Sequence, residues 1–318
     1  MSDRREWAPR SALRWESGLA LVVLIIGVVG VTVSAQFLTS TNLFNVGLSY
    51  GEIAIMTLPM TLIIISGEID LSVASILGMC SALLGVLWDK HWPMLGIFAL
   101  IAVVGLAAGA VNGLLVTRGG LPSLAVTIGT LALSRGIATI LHGPNTVANV
   151  PTTYTNLGVN AVPFTGNTMT YSVALFIVLA VIFGVVLHAT PFGRSVFAMG
   201  ASAEAARFAG IRVKRAKTIL FMVSGLVCAL AGVSIFGGKG SIVGVVLAVL
   251  VFVGLQNALL LTNFNQEAAG IVTGALLLLS VFARNAPALL GRLRNAIPAR
   301  RHPVAGASQI PPTASTPP

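Results

Sequence analysis

Two short stretches hold the polar groups that could do chemistry between the apolar runs of this chain. One is Ser66-Gly67-Glu68-Ile69-Asp70-Leu71-Ser72-Val73-Ala74-Ser75. Its two carboxylates sit between apolar runs, and charge at membrane depth is costly and normally faces a cavity or a partner. Two readings stay open. Asp70 or Ser72 caps the helix that follows, or Glu68, Asp70 and Ser72 belong to a gate or a solute pathway. The spacing suits no acid–base pair with a nearby nucleophile, so catalysis is rejected. The other stretch is Thr190–Lys217, a basic island with six of the 19 Lys and Arg. Within it, Ser202 can cap a helix whose first turn holds Glu204, near the positive dipole end. Arg207 falls toward the other end, and Gly210 can close the helix in the left-handed conformation. Such a helix of about eight residues, roughly 12 Å long, is too short to be stable alone. Docking into a partner would supply packing, with Phe208 as anchor and Ala205, Ala206 and Ala209 allowing close approach. The plainer reading is a solvated loop that only sets topology.

The elements that must position these stretches follow from composition. The chain is 56% hydrophobic and only 9% charged, with a mean hydropathy of +0.93. No soluble globular domain has this balance. Apolar runs of about 18 or more residues recur, each long enough to cross a bilayer as a helix. The expected fold is an all-α polytopic transmembrane bundle. The expected spans are Ser17–Phe37, Asn42–Ile65, Leu71–Trp88, Pro93–Val116, Leu121–Leu141, Met169–His188, Thr218–Phe236, Ile242–Leu261 and Ala268–Ala283. Pro59 should kink or break the second. The formal charge of +10 sits in loops and tails, so it reads as membrane orientation rather than nucleic-acid binding.

Residues 1–16 carry Arg4, Arg5, Arg10 and Arg14, so they are expected in the cytoplasm. The alternative of a cleaved signal peptide, with Leu19–Val31 as its apolar core, fits the downstream charge less well. Thr39–Thr41 and His142–Thr168 lack Lys and Arg and suit the outside; Arg118 and Thr190–Lys217 fall inside. The alternation then fails. Nine spans leave the C-terminus outside, although Arg284, Arg292, Arg294, Arg300 and Arg301 follow the last one. Residues 285–318 read as a basic, then Pro-, Ser- and Thr-rich disordered tail beyond a membrane domain of residues 17–284.

The remaining chemistry is sparse. Cys80 and Cys228 lie in apolar surroundings, and the four histidines have no partner pattern, so neither disulfides nor a metal are expected. Glu52, Asn112, Arg135, Gln256 and Asn257 are polar residues within spans. They read as structural contacts between helices or as donors and acceptors along a path; Glu52 and Arg135 either pair across the bundle or Arg135 simply sits near a span end. Gly237-Gly238-Lys239-Gly240-Ser241 mimics a phosphate loop, but Gly240 stands where Ser or Thr must follow the lysine. No cofactor is expected, and ATP would have to be bound by another chain.

Glu204-Ala205-Ala206-Arg207-Phe208-Ala209-Gly210 resembles the coupling loop of bacterial ATP-binding-cassette (ABC) importer permeases, an E-A-A-x-x-x-G pattern that an ATPase grips. Ser66–Ser75 resembles the G-G-I-D-L-S-V-G-S signature of the ribose/xylose/autoinducer-2 class of these permeases. Val111–Thr117, Pro122–Thr127, Pro191–Arg194 and Gly237–Gly244 also match, in order, over roughly residues 42–285. Glu68 replaces the usual second glycine, which with Pro59-Met60-Thr61 is most similar to the rhamnose-type permeases. The resemblance implies a permease that is not itself an enzyme and that lies in the bacterial inner membrane. Its implied partners are a second permease chain, ABC ATPase subunits and an extracytoplasmic sugar-binding protein. It implies Ser202, Glu204, Ala205, Ala206, Arg207, Phe208 and Gly210 as the ATPase-coupling residues. Glu68, Asp70, Ser72 and Asn112 are the candidates for pathway or gate.

One departure matters. Gly232–Gly238 joins two motifs that the family separates by an outward segment and another apolar stretch. Roughly one helix and its loop, about 30 residues, is absent. One more crossing would return the C-terminal arginines to the inside. An internal deletion is therefore expected, which could leave a defective remnant. The main rival is an ion-coupled secondary transporter with Glu52, Glu68 or Asp70 as its proton site, which would need no coupling loop. A membrane-embedded enzyme would need a convergent His/Asp/Glu or Ser/Lys constellation within the spans, and the sequence offers none.

Overall fold

A computed structural model describes residues 10–142, 160–231 and 242–262, and further on residues 267, 270–272, 274 and 275. The latter belong to a second unit that begins at Glu267, and they are helical. Among its described residues, the regular structure of the first unit is all helix apart from an isolated bridge between Ala161 and Thr170. Its described helices are α1 (Arg10–Val33), α2 (Ser40–Ile65), α3 (Val73–Asp89), α4 (Met94–Thr117) and α5 (Ser123–His142). Then come α6 (Tyr171–Ala189), α7 (Pro191–Ala201), α8 (Ala203–Phe208), α9 (Val213–Ala231) and α10 (Ile242–Leu261).

Among the described residues, four helices are long and apolar enough to cross a membrane: α2, α4, α5 through Leu141, and α6. Shorter apolar helices cover Ser17–Val33, Val73–Asp89 and Val249–Leu261. The chain is thus a multi-pass all-α membrane protein, as its apolar runs require. The expected ninth span, the junction at Gly232–Ser241 and the C-terminal arginines fall largely or wholly outside the described residues.

α2 is the central helix, with nine of the ten residues Ala54–Ile63 buried. Pro59 does not break it; Ser40–Ile65 is one continuous helix. The Thr57 and Thr61 hydroxyls donate to the Ala54 and Thr57 carbonyls beside it, and surrounding helices hold the proline in place. One core cluster joins α2, α3, α4 and α9 through Met56, Ile76, Ile97 and Cys228. A second joins α2, α6, α7, α8 and α9 through Leu58, Leu187, Val196, Ala206 and Phe221. That second cluster ties the membrane helices to the basic island.

The backbones of α4 and α9 approach closely. Gly105, Gly109 and Gly113 repeat every four residues and so share one face of α4. A Cβ on Gly109 would stand 2.9 Å from Met222 Cα, and one on Gly113 would stand 2.8 Å from Thr218 Cα. Without side chains there, the two backbones pack directly, and dispersion replaces the hydrophobic effect that lipid cannot supply.

The basic island contains more structure than its composition suggests. Thr190 caps α7 by accepting from the Gly193 amide, with Pro191 at the first helical position. α8 follows immediately, and α9 begins at Val213.

Candidate functional site

The site is built around the loop Ser66–Ser72, between α2 and α3. Gly67, at φ +85°, ends α2. The Gly67 amide donates to the Ile64 carbonyl and the Glu68 amide to the Ile63 carbonyl. This is the Schellman closure, whose left-handed position favours glycine. Glu68 lies one residue beyond it, where a side chain is free of that strain.

Glu68 pairs with Lys217 on α9, and both side chains are mostly buried. Among the described residues this is the one ion pair. Ile69 is held from α5: its amide donates to Ser123 Oγ at 3.2 Å, and its carbonyl accepts from Thr127 Oγ1. Asp70 is only 1% exposed. Its Oδ1 accepts from the Ser72 amide at 3.0 Å and the Ser72 hydroxyl at 2.6 Å; its Oδ2 accepts from Ser224 Oγ at 3.2 Å. Asn112 Nδ2 donates to Ser72 Oγ at 2.8 Å, while its Oδ1 finds no donor. Burial pushes the Asp70 carboxyl above its ordinary range, and the Ser72 and Ser224 hydrogen bonds oppose that shift.

The geometry corrects the capping expectation. Ser72 occupies the cap position of α3 but makes no side-chain cap bond. Its hydroxyl is committed to Asp70 and Asn112 instead. Asp70 serves the Ser72 amide and Ser224, bracing the loop rather than the first turn of α3. The structure therefore unites Asp70, Ser72 and Asn112 in one buried network and places Glu68 in a separate pair. Ser123, Thr127, Lys217 and Ser224 complete the arrangement, and sequence reasoning had given none of them a role. Lys217 was visible only as one of six island cations, and Ser224 only as a serine within an apolar run. Lys217 and Ser224 are seven residues apart, on one face of α9.

The coupling segment is shorter than expected, six residues rather than about eight. Ser202 Oγ accepts from the Ala205 amide at 3.2 Å. Glu204 lies in the first turn and Arg207 in the last. Gly210, at φ +84°, closes α8 with the same Schellman pair used at Gly67: its amide donates to the Arg207 carbonyl and that of Ile211 to the Ala206 carbonyl. Ala206 is buried in the second core cluster. Phe208 is 78% exposed, with the Arg207 guanidinium 5.6 Å from its ring centre. α8 is thus fixed from behind and presents an aromatic ring outward. Behind it, the end of α7 presses on the end of α2, because Gly200 leaves no room beside the Ile65 carbonyl. The remaining polar residues separate cleanly. Asn112, Gln256 and Asn257 are buried. Glu52 and Arg135 are both exposed, and of the two alternatives the pair between them does not form.

Three comparisons bear on this arrangement. The chain is 30% identical over 308 residues to the autoinducer 2 import system permease protein LsrD of Yersinia enterocolitica, covering 85% of this chain and 92% of that one. It is 30% identical to the proteins of the same name from Yersinia pseudotuberculosis and Yersinia pestis, covering 85% of this chain and 91% of each. No solved structure matches. The family described as branched-chain amino acid transport system / permease component matches residues 42–236, a span that takes in both the Ser66–Ser72 loop and the α8 segment, and with well over half of its length matched, this chain belongs to that permease family.

Proposed function

We propose that the chain is the membrane-spanning subunit of an ABC importer for a monosaccharide or similar polyol-like solute, in the bacterial inner membrane with its N-terminus in the cytoplasm. A separate ATPase would drive it, a second permease chain would complete the pathway, and an extracytoplasmic sugar-binding protein would deliver the solute. The observation that carries the reading is α8, a capped helix locked by Ala206 into the core with Phe208 turned outward. A helix this short is not stable alone, and an exposed aromatic beside an arginine is a natural anchor for a partner's cleft.

The loop at Glu68–Ser72 is the gate-side relay in this reading. Motion of α8 would reach α9 through the continuous turn Ala209–Arg212. α9 would carry it to the loop through Lys217–Glu68 and Ser224–Asp70, and Asn112 would carry it to α4. Ser202, Glu204, Ala205, Arg207 and Gly210 would shape the docking surface. The resemblance to rhamnose-type permeases makes rhamnose the first solute to test, and the similar proteins make autoinducer 2 the second.

One span is proposed to be missing after Val233. The 308 aligned positions exceed the 85% of this chain that they cover by roughly 38, about one helical span with its loop. The family match also ends at residue 236. Both observations support the internal loss and keep a second reading alive, a stably folded remnant that no longer transports.

The test is uptake of labelled rhamnose and autoinducer 2 in cells that also express the ATPase and the binding protein. Glu204→Lys reverses charge on the first turn of α8 and is expected to abolish uptake and ATPase co-purification while leaving permease abundance unchanged. Normal uptake in that variant refutes the coupling assignment. Abundant protein with no uptake in the unaltered chain selects the remnant.

A further inference from the structure

The exposed faces of the membrane helices differ in chemistry. α4 exposes Leu95, Val103 and Val111, and α6 exposes Val178, Val181 and Val185. These are side chains that lipid tolerates. α2 exposes Ser40 and Leu43 and, on another face, a run of polar residues, Thr41, Asn45, Ser49 and Glu52. Spaced four, four and three residues apart, they lie within an arc of about 80° at 3.6 residues per turn. Among the described residues, Asn45, Ser49 and Glu52 make no side-chain hydrogen bond or ion pair. The opposite side of this segment is closed, because Gly47 and Gly51 pack on Thr170, Ser172 and Val173 at the start of α6. Continued down α2, the same arc turns apolar and buried at Met56, Pro59 and Ile63.

An unpaired carboxylate, an amide and two hydroxyls in line cannot face hydrocarbon without large cost; such groups in a membrane helix face water, a partner or a path. We propose that Thr41, Asn45, Ser49 and Glu52 form the wall of a water-filled recess, open at the N-terminal end of α2 and closed at Met56, in which the permease receives a neutral polyhydroxylated solute. The residue types fit that class. The amide both donates and accepts, the hydroxyls do either, and an ionised carboxylate accepts two solute hydroxyls in strong charge-assisted bonds. The same carboxylate repels anions, so phosphorylated sugars and sugar acids are excluded. The solute class rests on the importer reading above; the recess itself does not.

The experiment places single cysteines at Asn45, Ser49 and Glu52 in the full chain, co-expressed with its transporter partners in intact cells. The native Cys80 and Cys228 are buried. The probe is the membrane-impermeant cation methanethiosulfonate ethyltrimethylammonium, added from outside, and Val178→Cys is the lipid-facing control. The reagent needs a thiolate, and each unit of thiol pKa is tenfold in thiolate, so the recess positions should react at least about tenfold faster than the control. Modification of Ser49→Cys should also stop uptake. Reaction at the control rate overturns the proposal. So does oxidative cross-linking of Ser49→Cys between two copies, which would make the stripe a polar contact between permease chains. Fast reaction without loss of uptake overturns the solute role. If the unmodified transporter takes up nothing, the importer reading fails, and labelling alone still decides the recess.

Discussion

Replacing Gly109 by alanine should lower the thermal stability of the protein, although alanine is the better helix former. The reason is local. A Cβ there would lie 2.8 Å from Phe221 C and 2.9 Å from Met222 Cα, and nearer still to the Phe221 carbonyl oxygen. All three are backbone atoms of α9, so no side chain can rotate away. Relief requires the two helices to move apart by several tenths of an ångström, and dispersion contacts along the whole seam weaken together. Overpacking of this kind costs about 1–3 kcal/mol, against about 1 kcal/mol gained from helix propensity. A net loss of about 1 kcal/mol should lower the unfolding midpoint by roughly 2–3 °C in a chain of this size. Gly184→Ala on α6 is the matched control, since a Cβ there meets nothing within 4 Å. It should leave the midpoint unchanged or raise it. The assay is the temperature at which the detergent-solubilised protein loses its monodisperse elution peak. Equal midpoints for Gly109→Ala and Gly184→Ala would refute the close-packing account of α4 and α9.

Two further outcomes are expected. Lys217→Met should strand a mostly buried Glu68 and cost about 1–3 kcal/mol, whereas Lys217→Met with Glu68→Met should recover most of that loss in the same melting assay; an unrecovered double variant would show that the pair is not the cause. Gly210→Val forces a β-branched residue to φ +84° and should cost about 1–2 kcal/mol of local stability, read as faster amide exchange across Ala203–Ile211; unchanged exchange would rule out the Schellman closure as the stop of α8.

The two motifs were legible for different reasons. Ser202, Glu204, Arg207 and Gly210 follow local rules of capping and dipole, which act over a few residues and can be read in order along the chain. The cap and the left-handed glycine are where those rules place them. α7 could have been recognised from Thr190-Pro191 by the same rule, yet the basic charge of its surroundings hid it. The Ser72 cap failed because a competing long-range partner won. Asp70 and Asn112 take both capacities of its hydroxyl, and Asn112 is 40 residues away. The glycine seam of α4 was present as a four-residue repeat, but what it packs against is a question of tertiary contact.

Composition and apolar run length by themselves determined that this is a helical membrane protein, because a bilayer leaves the backbone no other way to satisfy its hydrogen bonds over so many apolar residues. Motif order pointed to the permease family. Only the tertiary structure decided which polar residues meet. Glu68, Asp70, Ser72 and Asn112 looked alike along the chain, as did Glu52 and Asn112 within spans. Folding buries Asp70 and Asn112 in a network closed by Ser224, pairs Glu68 with Lys217 149 residues away, and leaves Glu52 exposed. Such outcomes depend on which helix faces which, and helix pairing in a membrane is set by shape at the glycines and small residues rather than by hydrophobicity, which every span shares.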